Sequence, residues 1–212
     1  MLLAKIPLTH YVVAYLYRTS PTAPTYDAVA RLTPQAYEDY PDLEEVWELS
    51  SCTREMWDDP SARNMVATLS MTVKSKIYKA NLRGRVFYME FPYDVFLHTF
   101  YNCYASRPEG LPSELWRGIT RKLLCATLRF LVEEGVIRPT DVMALEADGP
   151  GPFSTSVDEH DRRPLVEYYR KVFGFEPIIP LRLLEEPDTP EVIYRHVPMY
   201  GIVRGLLVKC GE

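Results

Sequence analysis

A mixed α/β fold, with one sheet of about six or seven strands and helices on both faces, is what this sequence predicts. Three observations predict it. Between residues 95 and 147 a strand pattern, a long amphipathic helix and a second strand follow one another, and such a unit requires parallel strands joined by a right-handed crossover. The helix carries a single apolar stripe, so it must lie on a sheet face. The chain has 212 residues, 47% hydrophobic and 25% charged, which is the composition of a chain that buries a core. Residues 1–212 therefore read as a single domain, with chemistry-bearing patterns in 95–208 and none in 1–94.

The elements follow in order. Ile6 to Arg18 is rich in β-branched and aromatic residues and reads as a strand, broken by the prolines of Ser20 to Pro24. Thr33 is an N-cap residue followed by Pro34, and this opens a helix over Gln35 to Cys52 with Leu43, Val46, Trp47 and Leu49 at helical spacing. Residues 53–64 read as a loop. Val66, Thr68, Ser70 and Thr72 alternate along a weaker strand, Met65 to Lys79. Lys74, Lys76, Lys79, Arg83 and Arg85 flank a turn at Arg83-Gly84, as in a hairpin with one wet face. Arg85 to Phe91 and Val95 to Tyr104 are two strands, or one element bent at Pro92-Tyr93-Asp94. After a loop at 105–114, Leu115 to Glu134 is the strongest helix, with Gly135 as its left-handed cap. Val142 to Ala147 is a short strand and 148–152 a loop. A helix over Asp161 to Phe173 tolerates Pro164 in its first turn and ends at Gly174. Phe175 to Leu184 and His196 to Lys209 close the chain as strands.

Charge narrows the partners. A net charge of −5 lacks the basic surplus of a nucleic-acid binder and suits a cationic or amine ligand. Cys52, Cys103, Cys125 and Cys210 are widely separated with no CxxC spacing, so no metal site is expected, and three of them, in apolar surroundings, read as reduced core or half-buried residues. The N-terminus lacks the pattern of a signal peptide, and no run approaches the roughly 18 apolar residues of a membrane span. A cytoplasmic chain with no membrane partner is expected.

Two blocks carry chemistry. Arg117-Gly118-Ile119-Thr120-Arg121-Lys122-Leu123-Leu124 opens the long helix. A helix N-terminus offers free N–H groups and a positive dipole end, glycine permits close approach, and the basic residues add charge, so phosphate is the matching ligand. The second block is Asp161-Arg162-Arg163-Pro164-Leu165-Val166-Glu167-Tyr168-Tyr169-Arg170-Lys171-Val172-Phe173-Gly174-Phe175. Together the blocks resemble the GNAT superfamily of N-acetyltransferases, over about residues 95–208. The first is similar to the family's pyrophosphate loop, R/Q-x-x-G-x-G/A, with Leu115 and Thr120 at its outer positions. The second is similar to the helix ending in Tyr-x-x-x-Gly-Phe, with one residue more between Tyr169 and Gly174 than that pattern has.

The resemblance implies a GNAT-like acyl-CoA N-acyltransferase fold. It implies transfer of an acetyl group from acetyl-CoA, with no metal, to a primary amine on a small cationic molecule such as a polyamine or on a peptide. It also admits a homodimer. The segment Leu115, Trp116, Arg117, Gly118, Ile119, Thr120 and Arg121 would hold the pyrophosphate. Tyr169, or Tyr168 as second choice, would protonate the leaving thiolate. The base for the amine stays open among Glu90, Asp94, His98 and Glu146. A second class stays open too: a degenerate domain of this fold that binds or interacts without catalysis.

Overall fold

The computed structural model describes residues 1–19, 22, 24–43, 64–81, 88–103, 112–147, 163–178 and 197–211. Its strands are β1 (Leu2–Pro7), β2 (Val12–Arg18), β3 (Thr25–Leu32), β4 (Met65–Asn81), β5 (Tyr88–Asn102), β6 (Val142–Ala147), β7 (Glu176–Pro177) and β8 (Val197–Ile202). The helices among the described residues are α1 (Pro34–Asp39), α2 (Ser113–Trp116), α3 (Ile119–Glu133), α4 (Arg163–Tyr168) and α5 (Val203–Lys209), with a π-helical turn at Tyr169–Phe173. The strands hydrogen-bond as one eight-stranded sheet in the order β1-β2-β3-β4-β5-β6-β8-β7. This is the mixed α and β class expected, with more strands than the six or seven anticipated. The chain forms two compact units, Met1–Thr72 with Thr99–Phe130, and Val73–His98 with Leu131–Glu212.

In the first unit β1, β2, β3 and β4 pair antiparallel in succession. Side chains alternate across a strand, and one face here is apolar. Val12, Ala14 and Leu16 face Leu32, Ala30 and Ala28 in register, and Ala30 and Ala28 face Ala67 and Leu69. All are buried. The row Ala14, Ala30, Ala67 gives that face a shallow floor. In α3, Ile119, Leu123, Leu124 and Leu128 are fully buried, each worth about 1.5–3 kcal/mol relative to exposure.

In the second unit β5 pairs parallel with β6, Val95 opposite Met143, Phe96 opposite Ala144 and Leu97 opposite Leu145. β6 then pairs antiparallel with β8 and β8 with β7. One carboxylate ties the parallel pair. Asp94 on β5 accepts from the Val142 N–H at the start of β6 (3.0 Å) and from the Ser75 hydroxyl on β4 (2.7 Å). The turn before β6 is closed by Asp141, which accepts from the Arg138 backbone N–H and from its guanidinium, both at 2.9 Å. The Asp141 and Pro139 carbonyls receive the N–H groups of Val203 and Arg204 as α5 begins.

Several elements differ from the expectation. The run Ile6 to Arg18 is two strands, because Leu8 and Thr9 both donate to the Val12 carbonyl and Thr9 Oγ1 accepts from the Tyr11 N–H. β3 carries no conspicuous signal, since two of its four buried positions, Ala28 and Ala30, are small. Helix α1 stops at Asp39, with Pro41 two residues beyond; the residue before proline disfavours helix. Thr33 takes the N-cap position without a side-chain cap bond. Val46, Trp47, Leu49, the 53–63 loop and the Arg83-Gly84 turn lie outside the described residues. β5 is one strand through Pro92. The long helix is broken at Arg117-Gly118, where Gly118 has φ +70°. The C-terminal apolar run is β8 followed by α5, whose buried Val203 and Leu206 are three residues apart, a helical rather than a strand period.

The cysteines also differ. Cys103, Cys125 and Cys210 are each disulfide-bonded, which overturns their reading as reduced residues. Disulfides persist in oxidising compartments, so the cysteines no longer argue for a reducing one. No described helix is long and apolar enough to cross a membrane.

Two measurements check this architecture. Asp94→Ala should lower stability in urea unfolding by about 1–3 kcal/mol, the cost of stranding two donors. Its hydrogen bonds from Val142 and Ser75 hold the Asp94 carboxyl below the usual range. That contribution is complete above the ordinary Asp pKa of about 3.9 and is lost as pH falls through the lower folded value. The wild-type and Asp94→Ala stabilities should therefore converge in acid. Reductant should lower Tm by roughly 5–15 °C, from about 2–4 kcal/mol per disulfide and about 2–4 °C per kcal/mol; an unchanged Tm would refute the bonded cysteines.

Candidate functional site

The first locus is the α2–α3 segment. Helix α2 ends at Trp116, and the left-handed Gly118 restarts the chain as α3, whose first bond runs from the Lys122 N–H to the Gly118 carbonyl at 3.0 Å. A helix leaves its first N–H groups without partners inside it. A Cβ built on Gly118 would meet nothing within 4 Å, so the backbone there borders open space. Of the seven residues expected to hold pyrophosphate, Leu115 and Ile119 are core side chains, Trp116 and Arg121 are half-buried, and Arg117 and Gly118 are exposed.

Thr120 is distinctive. It is 7% exposed, and its hydroxyl is buried without a hydrogen-bond partner. The cause is local. A helical threonine normally donates to the carbonyl four residues earlier, as Thr127 does to Leu123 at 2.8 Å. Four residues before Thr120 is Trp116, on the far side of the Gly118 break. Backbone N–H groups beside a left-handed glycine in open space are donors that suit a phosphate group.

Beside this segment lies a polar cluster that no motif announced. The Tyr40 hydroxyl donates to Glu114, and Gln35 Nε2 donates to Asp39 Oδ1 at 2.9 Å. The rings of His10 and Tyr11 meet edge to face at 4.8 Å, and those of Tyr11 and Tyr40 at 5.5 Å. Tyr11 holds its phenol proton above the ordinary range, first through its hydrogen bond to Asp39, then through desolvation and the charges of Asp39 and Glu114. The only advance signal was the polar Thr9-His10 pair interrupting a β-branched run.

The second locus is the parallel pair. His98 and Glu146 each stand one residue past the last paired rung, Leu97 opposite Leu145. Strand alternation puts both on the face of Phe96 and Ala144, and both are exposed. The His98 ring lies 4.9 Å from Phe96, and Phe96 lies 5.4 Å from Tyr93. Tyr200, opposite Ala144 on β8, meets Phe91 at 4.8 Å. The structure thus brings two of the four candidate bases to neighbouring strands. Asp94 is not a base: its oxygens are occupied and its pKa is depressed, chiefly by the Val142 N–H. Nothing is described for the side chain of Glu90.

The tyrosines separate. Tyr169 is 8% exposed, packed at ring-centroid distances of 5.9 Å from Phe173 and 6.2 Å from Phe175. Desolvation, then Tyr168, holds its phenol far above the usual range. Tyr168 is half-buried. Tyr169–Phe173 is a π turn; the Gly174 N–H reaches the carbonyls of Tyr169 and Arg170, and the Phe175 N–H closes the left-handed cap on the Tyr169 carbonyl at 3.2 Å. Arg170 fastens the turn, pairing with Glu167 and with Glu176 of β7 at 3.0 Å each. Among the described residues no group of three or more His, Cys, Asp and Glu side chains could hold a metal ion.

No family model matches the chain, and no curated protein matches it. A solved structure described as the crystal structure of a bacterial toxin is similar over 88% of this chain and 73% of its own, at 12% identity and a TM-score of 0.40. That score is too low to establish a shared fold.

Asp39→Asn should bring the Tyr11 titration back toward about 10, followed by ultraviolet absorbance against a Tyr11→Phe reference. A midpoint that does not move would show that the Tyr11–Asp39 bond is absent.

Proposed function

We propose that this chain is a GNAT-type N-acyltransferase that moves an acetyl group from acetyl-CoA to a primary amine. The observation that carries the reading is the strand order β5-β6-β8-β7, in which β5 and β6 are parallel across a helical connection and the remaining pairs are antiparallel. The strand–helix–strand unit expected over residues 95–147 calls for parallel strands, and the parallel pair β5–β6 joined through α3 supports the reading. The segment from Leu115 to Arg121 supports phosphate binding through the backbone N–H groups at the start of α3.

The chemistry needs three events. The ammonium loses a proton, the neutral amine attacks the thioester carbonyl, and the C–S bond breaks as the thiolate takes up a proton. His98 and Glu146 are the proposed proton acceptors, the exposed carboxylate of Glu146 also attracting the cationic amine. For the leaving sulfur, exposure favours Tyr168 over Tyr169: Tyr168 is the accessible phenol, and Tyr169 anchors the helix in the core. The acceptor class follows from the acidic chain, a small cationic amine or a basic peptide.

Acetyl-CoA at a hundredfold excess over Kd should stabilise the protein by roughly 2.7 kcal/mol and release free thiol when a polyamine is added. Gly118→Glu should abolish the stabilisation, because its carboxylate meets the phosphate charge at the helix end. Gly118→Asn tolerates the left-handed backbone and separates strain from charge. Tyr168→Phe should lower kcat by about 10²–10⁴-fold with binding intact, and Tyr169→Phe should change it only a few-fold. Binding without thiol release, or neither, would refute the acyltransferase and leave the alternative, a non-catalytic binding or interaction domain.

A further inference from the structure

The turn between β1 and β2 enters no motif, yet with the α2–α3 segment it lines a cavity of about 400 Å³. Thr9, His10 and Tyr11 come from the turn, and Glu114, Arg117 and Lys122 from the helical segment. Glu114 accepts from Tyr40, and Asp39, beyond the lining, from Gln35 and Tyr11. Phenol and amide donors therefore occupy the carboxylates. Arg117 and Lys122 form no ion pair with a carboxylate among the described residues. Arginine brings five N–H donors in a planar fork and lysine three on a point charge, and neither has an acceptor assigned. In a chain of net charge −5, the stretch from Arg117 to Lys122 holds three cations and no acid.

We propose that this cavity binds a phosphate group of a small-molecule ligand through the side chains of Arg117 and Lys122, with Thr9 and His10 as donors from the opposite wall. The guanidinium fork spans two phosphate oxygens and the ammonium meets a third. Glu114, tied back by Tyr40, is kept from closing onto the cations. The site rests on side chains of the N-terminal hairpin and α2–α3, and it requires no thioester, so it does not depend on the acyltransferase reading.

The test is calorimetric titration of the full chain with inorganic pyrophosphate. Saturable binding is expected, weakened about tenfold or more by each of Arg117→Gln and Lys122→Gln, with circular dichroism unchanged because both side chains are exposed. Glu114→Gln, which removes the lining carboxylate, should tighten binding. Tyr40→Phe, which releases that carboxylate toward the cations, should loosen it. Arg129→Gln, an exposed cation elsewhere on α3, should change nothing. Absence of wild-type binding, or an equal loss in Arg129→Gln, overturns the proposal. Repeating the titration with acetyl-CoA and acetyl-dephospho-CoA identifies the source of the phosphate: a penalty in Arg117→Gln seen only with acetyl-CoA assigns the site to its phosphomonoester. Pyrophosphate binding with this mutational pattern but no acetyl-CoA binding upholds the cavity and removes the acyltransferase reading. Acetyl-CoA binding indifferent to both cations does the reverse.

Discussion

The carboxylate of Asp94 is the constraint on which the second unit turns. Parallel strands cannot be joined by a short hairpin, so their register has no local turn to fix it. Here Asp94 sets it directly, by accepting the first N–H of β6 while holding Ser75 of β4. Once Val142 is placed, Met143, Ala144 and Leu145 fall opposite Val95, Phe96 and Leu97. A slip of one residue would turn the buried Met143 and Leu145 to the other face. The same register brings His98 and Glu146 to adjacent strands. An acid that looks like a candidate base in sequence is therefore the group that positions two others, and its own depressed pKa unfits it for taking a proton.

A comparable trade governs the helix before β7. The π turn at Tyr169–Phe173 leaves Tyr169 on the buried face with Phe173 and Phe175 while Tyr168 stays half-buried. A π turn gives up good hydrogen-bond geometry, and the paired salt bridges of Arg170 to Glu167 and Glu176 offset part of that cost.

How much of this was legible follows from where the signals are local. β6, the cap glycines Gly135 and Gly174 and the core stripe of α3 are written in short-range pattern, and each appears where the pattern put it. β3 was illegible because Ala28 and Ala30 fill its buried positions; burial there is decided by cross-strand neighbours rather than by side-chain size. The bonded state of the cysteines was illegible because pairing depends on distances through space, and widely separated cysteines carry no spacing signal. In the candidate site, Gly118 and the basic run were visible, but the helix break at Gly118 and the orphan hydroxyl of Thr120 were not. The orphan hydroxyl arises only because the helix restarts one residue before it. His10, Tyr11, Asp39 and Tyr40 were missed because the sequence pattern runs a strand through the first two and a helix through the last two, where the structure ends both elements.

The two loci differ in what they ask of the chain, and that difference bears on catalysis. Around α2–α3 the structure supplies charge and donors without any perturbed base, which is sufficient for binding. Proton transfer needs an acceptor that is ionised or neutral at working pH and open to the substrate. Asp94 is closed to it, and Tyr169 is buried and held in its phenol form. What remains on the parallel pair is an exposed imidazole and an exposed carboxylate on neighbouring strands, beside the aromatic surface of Phe96 and Tyr93. Under the proposed reaction, an ammonium drawn to Glu146 would rest against such rings and yield its proton to His98 or to water. In the proposed acyl transfer, turnover would depend on these two exposed side chains rather than on the buried tyrosine, and a chain that kept the phosphate donors but lost both would be expected to bind without turning over.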